Sequence, residues 1–237
     1  MSSAASSPDP SIPVIAIDGP SASGKGTVAV QVARALGFHY LDSGALYRLA
    51  TLAALRSKAN LDDEKSLAQA ALAMQVEFRG EAIHLDGVDV TEALRTEEVS
   101  AATSRVAARP QVRAALLERQ RGFRRFPGLV ADGRDMGAVV FPDAPLKVFL
   151  TASVAVRAER RHKQLMEKGM YGKMADVVEE LQRRDERDSS RPVAPLRHYP
   201  DAFFLDTTGL SVEAAVQKIL QWWRDRASGS ANLPRGA

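Results

Sequence analysis

The chain has 237 residues, 45% of them hydrophobic and 26% charged, with no cysteine and a formal net charge of +3. That composition suits one substantial core with an inserted subdomain, and it excludes a disulfide framework and a thiolate metal site. No run reaches the roughly 20 apolar residues that span a membrane, and the start MSSAASSPDPS lacks the basic and apolar segments of a secretory signal, so a cytoplasmic location is expected.

Residues 1–12 are rich in Ser, Ala and Pro and are expected to be disordered, as is the tail 227–237. Between them, five short apolar runs read as buried strands: Val14–Asp18, His39–Leu41, Gly128–Ala131, Lys147–Leu150 and Phe203–Leu205. After the first, Val28, Val32 and Leu36 recur every four residues on one helical face, and Gly37 supplies a stop. Asp62-Asp63-Glu64 reads as a solvated helix start. Residues 76–90 (VEFRGEAIHLDGVDV) read as short antiparallel strands turning at Arg79-Gly80 and Asp86-Gly87. Near the end, Ser211 caps a helix whose buried face carries Val212, Val216, Ile219 and Trp223. Strands alternating with helices predict a parallel sheet, interrupted by the antiparallel insert.

The sharpest chemical signal is GPSASGKGT, comprising Gly19, Pro20, Ser21, Ala22, Ser23, Gly24, Lys25, Gly26 and Thr27, set between the first strand and the first helix. Glycines let the backbone curl so that several N–H groups point inward at phosphate oxygens. The helix N-terminus adds partial positive charge, and Lys25 adds a mobile full charge. Gly26 stands where many GTPases and motor ATPases keep the magnesium-binding hydroxyl, which here comes one place later at Thr27. That variant resembles the adenylate-kinase-like nucleotide kinases.

Three other segments carry polar residues in functional density. LDSGALYR (Leu41–Arg48) ends the second strand and opens a helix, so Asp42 and Ser43 also read as caps. DGRDMG (Asp132–Gly137) follows the third core strand; Asp132 suits a carboxylate near a magnesium shell, with a simple Asp-Gly turn as the alternative. Arg157, Arg160, Arg161, Arg183, Arg184, Arg187 and Arg191 fall on two helical patterns, the first opening near Ser153, with Gly169 and Gly172 between them. Of the 32 cationic residues 24 are arginine, whose planar fork suits bidentate phosphate binding. A GC-rich coding sequence gives the same bias, and two salt-bridged surface helices give the same spacing. The four histidines show no metal-ligand spacing.

These motifs, IAIDGPSASGKGT, LDSGALYR, ADGRDMGAVVFPDAP and RRDERDSSRPVAPL, stand in the order and spacing of the bacterial cytidylate (CMP) kinases, and the chain resembles that family from about Ile12 to Trp223. The resemblance implies a three-layer P-loop kinase fold over residues 13–226. It has a five-stranded parallel sheet, a monophosphate-binding region at about 42–113 containing the antiparallel insert, and a short arginine-rich lid at about 153–187. It implies transfer of the γ-phosphoryl group of ATP, carried with Mg2+, to CMP or dCMP by a cytoplasmic monomer binding neither nucleic acid nor membrane. UMP, AMP or a small metabolite is the alternative acceptor. Lys25, Arg134, Arg184 and Arg191 then act on the reacting phosphates, and the loop Gly19–Thr27 with Arg160 and Arg161 holds ATP. CMP falls to Ser43, Arg48, Ser104, Arg113, Arg134, Asp135, Asp188 and Arg191. In that scheme Arg48 and Arg134 meet the acceptor phosphate, Asp188 the sugar, and Asp135, Arg113 and Ser104 the base. No direct metal ligand is implied, and Asp132 stands behind the metal. A carboxylate suits cytosine, whose exocyclic amine donates; uracil would set an acceptor against an acceptor. Arg113, read alone, is a solvated helix residue. An RNA-binding module is the rival from another class, but four tyrosines and two tryptophans supply no interleaved stacking platform.

Overall fold

The computed structural model describes residues 9–79, 82–167, 169, 170 and 172–229. The chain divides into two compact units, one of residues 1–41 with 122–237 and one of residues 42–121. Of the stretches expected to be disordered, residues 1–8 and 230–237 lie outside the described residues, as does the predicted turn glycine Gly80. Pro10 and Ile12 are held through their carbonyls by the buried Arg124, which also pairs with Asp143 at 2.7 Å.

The first unit is built on a five-stranded sheet in the order β2-β6-β1-β7-β8, with β1 Val14–Asp18, β2 His39–Asp42, β6 Leu129–Gly133, β7 Leu146–Thr151 and β8 Phe203–Asp206. Pairing is parallel between β1 and β6, β1 and β7, and β7 and β8. All five residues of β1 are buried, as a central strand covered on both faces requires. Its side chains alternate. Ile15 and Ile17 pack with Val148 and Leu150 against Val28 and Val32 of α1 (Lys25–Leu36) and Val216 and Ile219 of α8 (Val212–Ala227). Val14, Ala16 and Asp18 therefore face the other way, and Asp18 meets a π-helical turn at Met136–Val140. The caps read from sequence form: Gly37 ends α1 in the left-handed region, and the Ser211 hydroxyl accepts the Ala214 N–H at the start of α8. The two arginine-bearing helices are α6 Val154–Glu167 and α7 Met174–Ser190, packed through Ala158, Val177 and Leu181.

The second unit contains α2 Ser43–Arg56, α3 Glu64–Ala73, α4 Glu97–Val106 and α5 Pro110–Arg121. It also holds a three-stranded antiparallel sheet of β3 Val76–Arg79, β4 Ala82–Leu85 and β5 Val88–Asp89. Asp86 and Gly87 both have positive φ (51° and 81°), the primed turn their dipeptide announces. Among the described residues no helix is long and apolar enough to cross a membrane.

Gly128, just before β6, shows how tightly the sheet edge is filled. A Cβ there would lie 2.6 Å from the Phe38 ring, itself in edge contact with Trp223 at 5.7 Å. Gly128→Ala is expected to lower stability by about 1–3 kcal/mol. Urea denaturation checks this: the midpoint falls while the slope stays constant.

Candidate active site

The loop Gly19–Thr27 leaves the carboxyl end of β1, where open α/β sheets bind ligands, and enters the N-terminus of α1. Gly19 is obligatory on space alone, since a Cβ would fall 1.9 Å from the Leu150 carbonyl oxygen of the neighbouring strand. Lys25 is buried and folds back over the loop, donating to the Pro20 carbonyl at 3.2 Å.

Two arginines of α6 hold the outside of the loop. Arg157, 4% exposed, donates to the Ser21 carbonyl at 3.2 Å and the Ala152 carbonyl at 3.0 Å, and pairs with Asp185 at 2.6 Å. Arg160 donates to the Ser23 carbonyl at 2.9 Å and to the Thr207 carbonyl at 2.9 Å. Both guanidiniums therefore meet loop carbonyls in this state. Beside them lies a cavity of about 270 Å³ bordered by Gly24, Thr27, Arg160, Gln164, Leu210 and Val212.

The segment Asp132–Asp135 runs along the other side. Asp132 and Gly133 are the last residues of β6, not a turn, and the Asp132 carboxylate accepts from the Tyr40 hydroxyl at 2.9 Å. A Cβ on Gly26 would lie 3.1 Å from that carboxylate, a tight contact that the Asp132 side chain would have to relieve by shifting. Arg134 bridges the Ser21 hydroxyl (2.8 Å) and Asp188 of α7 (2.8 Å). Arg191 stands 4.0 Å from Asp188 on the same helix end. Burial pushes the Asp188 carboxyl up, but Arg134, Arg184 and Arg191 outweigh it and leave its pKa below the usual range. Arg161 and Arg184 are half-buried, and Asp135 is 2% exposed.

In the second unit, Asp42 caps α2 by accepting the Ala45 N–H and also binds Arg48 at 2.7 Å. Ser43 is buried. Arg113 is not solvated: it is 8% exposed, donates to the Ala107 carbonyl and lies over the Tyr47 ring at 5.7 Å. The buried Ser104 hydroxyl finds no hydrogen-bond partner among the described residues. His39, His162 and His198 each hydrogen-bond a backbone carbonyl.

The family model for cytidylate kinase matches residues 15–225. The chain is 58% identical over 219 residues to a cytidylate kinase of Chromobacterium violaceum, covering 92% of this chain and 99% of that one. It is 57% identical over 212 residues to a cytidylate kinase of Paraburkholderia phymatum, covering 90% and 93%. This chain belongs to the cytidylate kinase family.

One further residue near the loop reads in sequence only as the end of a strand. Asp18 is buried, and its two oxygens accept the Met136 N–H at 2.8 Å and the Gly137 N–H at 2.9 Å. Burial raises its pKa to about 7, the Gly137 and Met136 bonds pull it down, Asp135 raises it and Arg134 lowers it. Thr207 and Leu210 beside the cavity were also missed, because nothing in TTGL marks them before β8 is placed next to the loop.

The folded chain binds the Asp18 proton more tightly than the unfolded chain, whose Asp pKa is near 3.8. That contribution to stability is complete below pH ~4 and is lost as pH rises toward 7. At roughly 1.4 kcal/mol per unit it amounts to about 4 kcal/mol. Thermal melts of the parent and Asp18→Asn between pH 4.5 and 8 check this, with the difference moving in favour of the variant as pH rises.

Proposed function

We propose that the chain transfers the γ-phosphoryl group of ATP to CMP or dCMP, releasing ADP and CDP or dCDP. The observation that carries this reading is a glycine-rich loop whose neighbouring segment sets a buried carboxylate, Asp135, next to Arg134, which donates to the Ser21 hydroxyl of that loop. The amides of Gly19–Thr27 and Lys25 take the ATP phosphates, and the cavity between Arg160 and Leu210 takes the donor base. Arg161 borders the donor phosphates. Asp132 would stand behind Mg2+ arriving on the nucleotide, and that ion would screen charge on the ATP phosphates.

The acceptor-binding region is about residues 42–113 and the lid about 153–187. Ser43 and Arg48 bind the CMP phosphate side, Asp188 the sugar, and Asp135, Arg113 and Ser104 the base. The orphaned Ser104 hydroxyl supports its role, because a buried hydroxyl without a partner costs about 1–3 kcal/mol until a ligand satisfies it. Asp188 pairs with Arg134 and stands 4.0 Å from Arg191; the acceptor phosphate is the further anion those arginines serve during transfer. ATP and CMP set several charges together, each close pair repelling by about 4 kcal/mol at 4 Å. Arg134, Arg184 and Arg191 offset that repulsion most when transferring charge is spread over the phosphoryl oxygens. The acceptor oxygen is already anionic, so no side chain acts as a strong base. A cytoplasmic monomer is the expected working form.

Asp135→Ala is expected to lower kcat/KM for CMP by about a hundredfold, by loss of a buried charged hydrogen bond, while KM for ATP moves less than about threefold. Steady-state kinetics with CMP and UMP check this. An unchanged preference for CMP over UMP would remove Asp135 from base selection.

A further inference from the structure

We propose that Asp18, at the end of β1, is the positioning residue that fixes Asp135 for pyrimidine selection by capping the turn that follows it. The inference rests on Asp135 reading the base and adds how that residue is held.

The turn Met136–Val140 begins at Asp135, and the Asp135 carbonyl accepts the Val139 N–H at 2.9 Å. Helical turns leave their first N–H groups without internal partners, and the residue at the cap position normally accepts one with its own side chain. Asp135 has the type for that, yet its carboxylate makes no capping bond to the turn. Asp18 supplies the cap from another strand, one oxygen to Met136 and the other to Gly137. The cap on this turn thus comes from β1 and not from the side chain of the cap residue itself.

The placement is set by strand register. Asp18 pairs with Gly133 across the β1–β6 ladder, so its side chain emerges beside the start of Arg134-Asp135. It is also the residue before Gly19, which approaches the Leu150 carbonyl of β7 too closely for any side chain. A single buried carboxylate thereby ties the first residue of the phosphate loop to the segment that bears both Arg134 and Asp135. The neighbouring turn is close-packed as well: a Cβ on Gly137 would lie 3.1 Å from the Lys147 side chain. Only a partner accepting at both oxygens satisfies two adjacent amides at this spot. Asparagine fits the volume but turns an NH2 toward one of them, leaving a buried donor facing a donor.

The test compares Asp18→Asn, Asp135→Ala and the double variant, by kcat/KM for CMP and for UMP and by KM for ATP. Asp18→Asn is expected to lower the CMP-over-UMP ratio about tenfold or more with KM for ATP within about twofold, the loss of one buried hydrogen-bond arrangement. The double variant is expected to discriminate no worse than Asp135→Ala, since both changes remove one function. Uniform loss of activity with the ratio intact in Asp18→Asn, while Asp135→Ala loses it, overturns the proposal and leaves the base reading standing. If Asp135→Ala keeps the ratio, the base reading fails and the proposal goes with it. Amide exchange in the unmodified chain covers the case in which Asp18→Asn does not fold. Met136 and Gly137 amides are expected to exchange at least about a hundredfold slower than open-loop amides; exchange at open-loop rates overturns the proposal.

Discussion

A backbone that points its amides at a polyanion must turn its carbonyls the other way, and those carbonyls then need donors of their own. That constraint organises the first unit. The outward carbonyls of Ser21 and Ser23 are met by Arg157 and Arg160, and the Pro20 carbonyl by Lys25. The arginines are themselves fixed, Arg157 by Asp185 and the Ala152 carbonyl, Arg160 by Thr207. The result is a loop whose carbonyls are held by packed side chains. Arginine suits this position: a lysine carries one compact charge, whereas the Arg157 guanidinium reaches three acceptors.

The same logic extends to charge balance. A unit built to hold polyanions carries an excess of buried or half-buried cations, and an unpaired cation in a partly dry site is costly. Asp188 answers this by facing Arg134, with Arg184 and Arg191 close enough to hold its proton affinity down. Arg48 has a similar partner in Asp42. The carboxylates in these segments thus act as counter-ions to the arginines beside them. Asp18 is the exception. It is buried near another carboxylate, and its two amide bonds only partly offset the burial.

Local chemistry made most of the fold legible. The five core strands fall on apolar runs, the phosphate loop on glycines and a lysine, the hairpin on Asp86-Gly87, and the helix limits on Gly37 and Ser211. What sequence could not reveal depends on neighbours distant along the chain. Asp18 looked like the tail of VIAID, because its partners are amides 118 and 119 residues away. Arg113 looked solvated, because its surface is removed by Tyr47 and the Ala107 carbonyl. The contact of Arg157 with the loop was not legible, since helical spacing does not say which guanidinium reaches a loop carbonyl. Spacing gives a face; only the packed sheet says what the face meets.

The most direct measurement is ADP release by the full chain with ATP and Mg2+, offered CMP, dCMP, UMP, AMP and GMP in turn. The account predicts rapid turnover with CMP and dCMP and much slower turnover with the other three. Correctly folded protein that releases no ADP with any cytidine monophosphate, or that accepts all five alike, would contradict it.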